Sequence, residues 1–166
     1  MILTQEETHR LFQYKNGELY RKLDRNNRFK AGSKAGYLIK STGYRAIEID
    51  SVSYPEHSIV YLMHHGFIPE MIDHINGCPT DNKIENLRQA TATQNAWNAK
   101  LSIKNTSGVK GISFRKDRNV WVARLQAHAT SIYLGYFKSK NDAEEFLQLA
   151  RDMVHGDFAN HGLQGI

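Results

Sequence analysis

Between Lys110 and Phe137 the chain reads KGISFRKDRNVWVARLQA and then IYLGYF, with apolar and polar residues alternating at a period of two about one charged turn. This pattern specifies three antiparallel strands. The next segment changes period: Asn141 is placed to cap a helix in which Ala143, Phe146, Leu147, Ala150, Met153 and Val154 follow the 3.6-residue repeat. Three strands and a helix bury one shared face, so Ile112, Phe114, Trp121, Ala123 and Leu125 are expected beneath the helix. Ser113, Arg115, Val122, Arg124 and Gln126 are expected on the other face, where side chains of a twisted sheet can enter a DNA major groove. The helix itself is acidic (Asp142, Glu144, Glu145, Asp152, Asp157), so charge should separate by face.

The rest of the chain has a different texture. Thr4 with Glu7 resembles a capping box for a short helix through about Phe12. GELYRK, GYLIK and GYRAIEI then alternate between Asn16-Gly17, Gly36 and Thr42-Gly43, which predicts a small antiparallel sheet. A helix is expected over Ser58–His65 with Ile59, Leu62 and Met63 inward and Gly66 ending it, then a strand over Met71–Ile75. Thr91 with Gln94 signals a second capping box, opening a helix to about Lys100. LSIKNTS, residues 101–107, has the composition of a linker.

Charge sharpens the functional reading. The 166 residues carry a formal net charge of +5, concentrated in two blocks. Lys15 to Arg45 holds nine basic residues, Arg25 and Arg28 among them, against Glu18 and Asp24. Lys100 to Arg124 holds seven against Asp117. Basic blocks interleaved with aromatics suit a polyanion, although solvated lysine-rich loops have the same composition. The single cysteine, Cys78, excludes disulfide frameworks and Cys-x-x-Cys zinc scaffolds, and in its Gly-Cys-Pro turn it reads as a passive thiol. No signal-peptide pattern or membrane-length apolar run is present, which predicts a soluble, intracellular protein.

The segment IDHINGCPTDNKIENLRQATATQN, residues 72–95, concentrates chemistry. Asn76, Asn82, Asn86 and Asn95 surround one Asp73-His74 pair. A hairpin, loop and helix can bring an aspartate oxygen and an asparagine amide oxygen together, a donor set suited to Mg²⁺, while a neutral imidazole can deprotonate water. Spacing alone also allows an asparagine-rich turn whose side chains satisfy loop backbone, with His74 packed and hydrogen-bonded.

This segment resembles the active-site motif of the HNH, or ββα-metal, endonucleases common in phages and mobile introns, and HSIVYLMHHGFIP upstream is similar to that family's lead-in. The resemblance implies that Asp73 and Asn95 bind a divalent metal, Mg²⁺ or alternatively Mn²⁺. It further implies that His74 is the general base and that Asn86 shapes the loop and steadies that base. No organic cofactor is implied. His57 matches the lead-in histidine, but Ser58 stands where arginine is usual; His64 and His65 match no motif letter and read as helix-end residues.

A second resemblance covers residues 108–160: SGVKGISFRKDRNVWVARL and YLGYFKSKNDAEEF are similar to the Apetala-type DNA-binding domain of plant ethylene-response factors, which also occurs behind HNH nucleases. The DNA-facing positions it implies are Lys110, Ser113, Arg115, Arg124, Gln126, Ser131 and Tyr133. Trp121, Gly135 and Phe137 match its fold-defining positions, and several arginines of the plant family are replaced, so a different base sequence is implied.

The expected architecture is α+β. Residues 1–100 form an HNH domain with an amino-terminal basic β region, 101–107 a linker, 108–160 a three-stranded DNA reader packed on one helix, and 161–166 a tail. The expected function is site-specific, metal-dependent hydrolysis of double-stranded DNA by a homing or free-standing phage-type endonuclease in the cytoplasm, that of the host bacterium if phage-encoded. The alternatives are a non-cleaving DNA-binding regulator on the same scaffold and, more distantly, an RNA or structure-specific nuclease. One metal centre per chain favours a monomer that nicks, and no membrane partner is expected. Because all four motif residues precede the linker, the sequence predicts that a chain lacking 106–166 still nicks slowly.

Overall fold

The computed structural model describes residues 3–24, 29–128 and 130–162, so Arg25 and Arg28 of the first basic block and most of the expected tail lie outside the described residues. The protein is α+β, built of small antiparallel sheets and helices in two compact units, Met1–Ala90 and Thr91–Ile166. Among the described residues no helix is long and apolar enough to cross a membrane.

In the first unit, helix α1 (Gln5–Leu11) starts at Thr4, whose hydroxyl accepts from the Glu7 N–H. The Glu7 carboxylate turns instead to Arg10. Strands β1 (Phe12–Lys15) and β2 (Glu18–Arg21) close over Asn16-Gly17, both at positive φ, the turn whose twist matches a two-residue hairpin. A second sheet follows in the order β3 (Tyr37–Leu38), β4 (Arg45–Ile49), β5 (Val52–Pro55). The expected single sheet is thus two small ones. Both β1 and β5 went unanticipated: Phe12 falls where the helix was expected to run on, and the β4–β5 turn uses Asp50 and Ser51 at positive φ with no glycine to announce it.

Helix α2 (Glu56–His65) begins two residues before its predicted start and ends, as predicted, at Gly66 in the left-handed conformation. It is buried through Glu56 and from Ser58 to Met63, a wider stripe than the three inward residues expected. Glu56 is fully buried, and burial raises its pKa. The Arg45 guanidinium and the Leu19 N–H oppose that rise. Phe12, Leu19, Ile47, Ile59, Val60 and Leu87 form this unit's core. Strand β6 (Ile72–His74) pairs antiparallel with β7 (Leu87–Gln89), matching Asp73 to Arg88 and His74 to Leu87.

The second unit opens with helix α3 (Ala92–Asn98), where Thr91 and Gln94 form the complete reciprocal capping box. Its sheet runs in the order β10 (Thr130–Phe137), β9 (Val120–Ala127), β8 (Ile112–Arg115), and helix α4 (Lys140–His155) packs on it. Val109, Ile112, Ala123, Leu125, Ala143 and Leu147 form the core. Four expectations fail here. Phe114 is exposed and leans on Trp121 at the edge of the sheet, because the core on β8 ends at Ile112. Val122, on the opposite face, is buried between its cross-strand partners Ser113 and Tyr136. Helix α4 is capped by Ser139 rather than Asn141, and it buries Ala143, Leu147, Arg151 and His155, leaving Phe146, Met153 and Val154 exposed. The fully buried residues form a single row at four-residue spacing, with Ala150 partly buried beside it, because the sheet beneath is only three strands wide.

Candidate active site

The β6–β7 hairpin is short, three residues on each strand. Asp73 and His74 sit side by side on β6, both deeply buried, and each is held by a partner reached across the hairpin or its loop. Asp73 Oδ2 accepts from Arg88 Nε at 2.8 Å and Nη2 at 2.7 Å, so its cross-strand neighbour neutralises a buried carboxylate. His74 Nε2 lies 3.0 Å from Asn82 Oδ1. An amide oxygen at that distance accepts, which puts the ring proton on Nε2 and the basic lone pair of the neutral imidazole on Nδ1.

Asn86 closes the loop. Its Oδ1 accepts from the Asn76 N–H at 3.0 Å, and its Nδ2 donates to the Asp81 carbonyl at 2.7 Å and to Asn76 Oδ1 at 3.1 Å. Asn76 in turn donates to the Asp81 carboxylate and accepts from the Cys78 N–H. The amides therefore divide their work. Asn76 and Asn86 staple residues 76–86 into one shape, and that shape delivers Asn82 to the histidine. The sequence reading gave the orienting role to Asn86 and assigned none to Asn82, Asn76 or Arg88. The cross-strand offset of Arg88 from Asp73 was the available signal for one of them.

One wall is aromatic. The His57 ring meets the His74 ring edge-on, with centroids 5.2 Å apart and planes at 85°, and Tyr44 touches both. Burial, then the neighbouring His74, pushes His57 down to about 4, and its Nδ1 is buried without a hydrogen-bond partner among the described residues. His57 thus packs as a neutral ring. His64 and His65 occupy the last turn of α2, His64 bonded to the Val60 carbonyl and His65 against Tyr61. Among the described residues no group of three or more His, Cys, Asp or Glu side chains could hold a metal ion. A cation at this hairpin would thus have Asp73 with amide oxygens and water, hard donors that fit Mg²⁺ or Mn²⁺. Asn95, the fourth residue of the motif, lies midway along α3 in the second unit.

The second unit presents the other candidate residues. Strand alternation and register put Ser113, Arg115, Arg124, Gln126, Ser131 and Tyr133 on one face, all exposed. A register shift between Tyr133 and Gly135 brings Tyr136 to that face too, its ring 5.3 Å from Tyr133 and beneath Arg118. Arg115 is bidentate to Asp117, whose carboxyl that pairing holds down at about 2. Lys110 is elsewhere: its Nζ donates to the Trp97 and Ala99 carbonyls at 2.8 and 2.9 Å, at the end of α3. A cleft of about 200 Å³ beside α3 is lined by Trp97, Lys110, Arg124, Gln126, Ser131 and Arg151 among others.

A buried Asp-His pair on a β-hairpin, followed by an amide-stapled loop and a capped helix, is the arrangement of a known nuclease class. The HNH endonuclease family model matches residues 54–97, so the chain carries an HNH endonuclease domain. More particularly, it belongs to the family of "Protein 3.8" of Escherichia phage T7, to which it is 36% identical over 107 residues, 62% of this chain and 86% of that protein. No solved structure matches.

Proposed function

We propose that the protein is a site-specific DNA endonuclease of the homing or free-standing phage type, hydrolysing phosphodiester bonds with one divalent metal. The observation that carries this reading is His74, buried within the HNH match and oriented by Asn82, with Asp73 beside it. By the motif, Asp73 and Asn95 would hold Mg²⁺ or Mn²⁺, which when bound supplies electrostatic stabilisation of the scissile phosphate and leaving oxygen. His74 Nδ1 takes the proton of the attacking water while Asn82 keeps the ring turned. Asn86 preserves the loop on which that orientation depends. The product ends would be 5′-phosphate and 3′-hydroxyl.

The second unit is proposed as a DNA reader of the ethylene-response-factor type, following the domain division at 101–107. Arg124, Gln126, Ser131, Tyr133 and Ser113 are its duplex-facing residues, and Arg115 joins them only by exchanging Asp117 for DNA. Lys110 is spent on α3. The proposed setting is the cytoplasm of a phage-infected cell, with a monomer acting on duplex DNA.

Supercoiled plasmid incubated with the protein and Mg²⁺ tests the reading. It should yield nicked circles whose breaks reseal with ligase, and EDTA should prevent them. One observation favours the non-cleaving regulator instead: both Arg88 contacts already neutralise Asp73 Oδ2. Tight duplex binding without cleavage in Mg²⁺ or Mn²⁺ would establish that alternative.

A further inference from the structure

The HNH match ends at Trp97, yet the groups that hold Trp97 lie beyond it. Helix α3 has seven residues, too few to be stable alone in water. Its start is satisfied locally by the capping box. Its end is not. The Lys110 ammonium donates to the Trp97 and Ala99 carbonyls, and Asn160 Nδ2 donates to the Asn98 carbonyl at 2.7 Å and to Asn98 Oδ1 at 3.2 Å. A cation at a helix carboxyl end also meets the negative pole of the peptide dipoles. The Trp97 indole stacks on His155, with centroids 4.2 Å apart and planes at 11°, and the His155 Nε2 donates to the Gln126 carbonyl at 2.7 Å. Arg151 Nη2 bonds the Lys110 carbonyl at 2.7 Å, fixing the lysine's own backbone.

We infer that Lys110, His155 and Asn160 are positioning residues of the nuclease, fixing α3 and with it Asn95. The inference rests on Asn95 being an ion ligand. Lys110 is poorly suited to meeting phosphate, since burial and then the Arg151 charge push its ammonium down to about 8. That unfavourable placement is held by the two helix carbonyls.

The test uses the full chain with Lys110→Met, Lys110→Arg, Asn160→Ala and Asn95→Ala. Three quantities are read: amide hydrogen exchange along α3, Mn²⁺ binding by electron paramagnetic resonance, and nicking at varied Mn²⁺ and duplex. Lys110→Met should accelerate α3 exchange and weaken Mn²⁺ binding about tenfold, the usual scale for a residue supporting a metal ligand. It should lower kcat while KM for duplex stays within about twofold, and Lys110→Arg should recover most of each loss. If Lys110→Met instead raises KM and flattens the salt dependence, with α3 exchange and Mn²⁺ binding unchanged, Lys110 is a phosphate contact and the inference is overturned. Should Lys110→Met fail to fold, Asn160→Ala removes a single clasp and is judged on the same readouts. An Asn95→Ala protein that binds Mn²⁺ like wild type would sink the ligand reading itself, an outcome separable because α3 exchange does not depend on it.

Discussion

Two asparagines four residues apart do different jobs here, and the difference decides which substitutions touch chemistry. Asn82 meets His74, and Asn86 meets only the loop. Which amide reaches the ring depends on the path of residues 76–86, a path set by side-chain bonds that spacing does not encode. The Asp73-His74 pair was legible because adjacent residues on a short strand remain together whatever the loop does. On the proposed function, His74→Ala should reduce nicking about 10² to 10⁴-fold while duplex affinity stays near wild type, since the proposed general base would act in the transition state. Single-turnover cleavage beside a binding isotherm checks both halves. His57 supplies a pH dependence of folding. Its folded pKa of about 4 lies below the ordinary 6.5, so its neutral packing favours the fold fully above 6.5 and that contribution is lost as pH falls toward 4. The loss is at most about 3 kcal/mol for a shift of this size. Urea unfolding at pH 7 and pH 4.5 should show it, and His57→Leu should narrow the difference between the two.

At the level of elements, helix α4 separates what periodicity can tell from what it cannot. Ala143, Leu147 and Ala150 were legible as inward. Phe146, Met153 and Val154 share the same period yet are exposed, because a three-stranded sheet accepts one row of side chains and its width is a tertiary fact. Leu147→Ala should therefore cost about 2 to 5 kcal/mol, as for other fully buried leucines. Met153→Ser, by contrast, should stay within about 0.5 kcal/mol of wild type. Denaturant midpoints of the two variants, compared at constant slope, distinguish a one-row helix from the broader one expected. The capping boxes were legible in proportion to their reciprocity: Thr91–Gln94 is complete, while Thr4–Glu7 lost its second half to Arg10. Strand β5 was hidden because its turn places Asp50 and Ser51, rather than glycine, at positive φ.

Across the whole molecule, the boundary read from composition and the grouping of contacts differ in what they do with α3. Residues 101–107 look like a linker, but contacts group everything from Thr91 onward. A chain lacking 106–166, which sequence alone predicts to nick slowly, should on this account bind duplex weakly and not nick, even when circular dichroism shows its first unit folded. Charge is the other global property. Arg124 is exposed on the proposed DNA face. If it meets phosphate, Arg124→Ala should weaken binding to all duplexes alike and reduce the log–log salt slope by about one. If it reads a base, the loss of about 1 to 3 kcal/mol should fall on one sequence only.

The clasp on α3 also sets a clock. Chains emerge from the ribosome amino end first, at about 5 to 20 residues per second, so α3 is exposed several seconds before His155 and Asn160 are made. Until then α3 has its capping box and the Lys110 ammonium but lacks the His155 ring and the Asn160 amide. On the proposed function, a nascent chain would acquire its cutting competence only once residues 155–160 have been made.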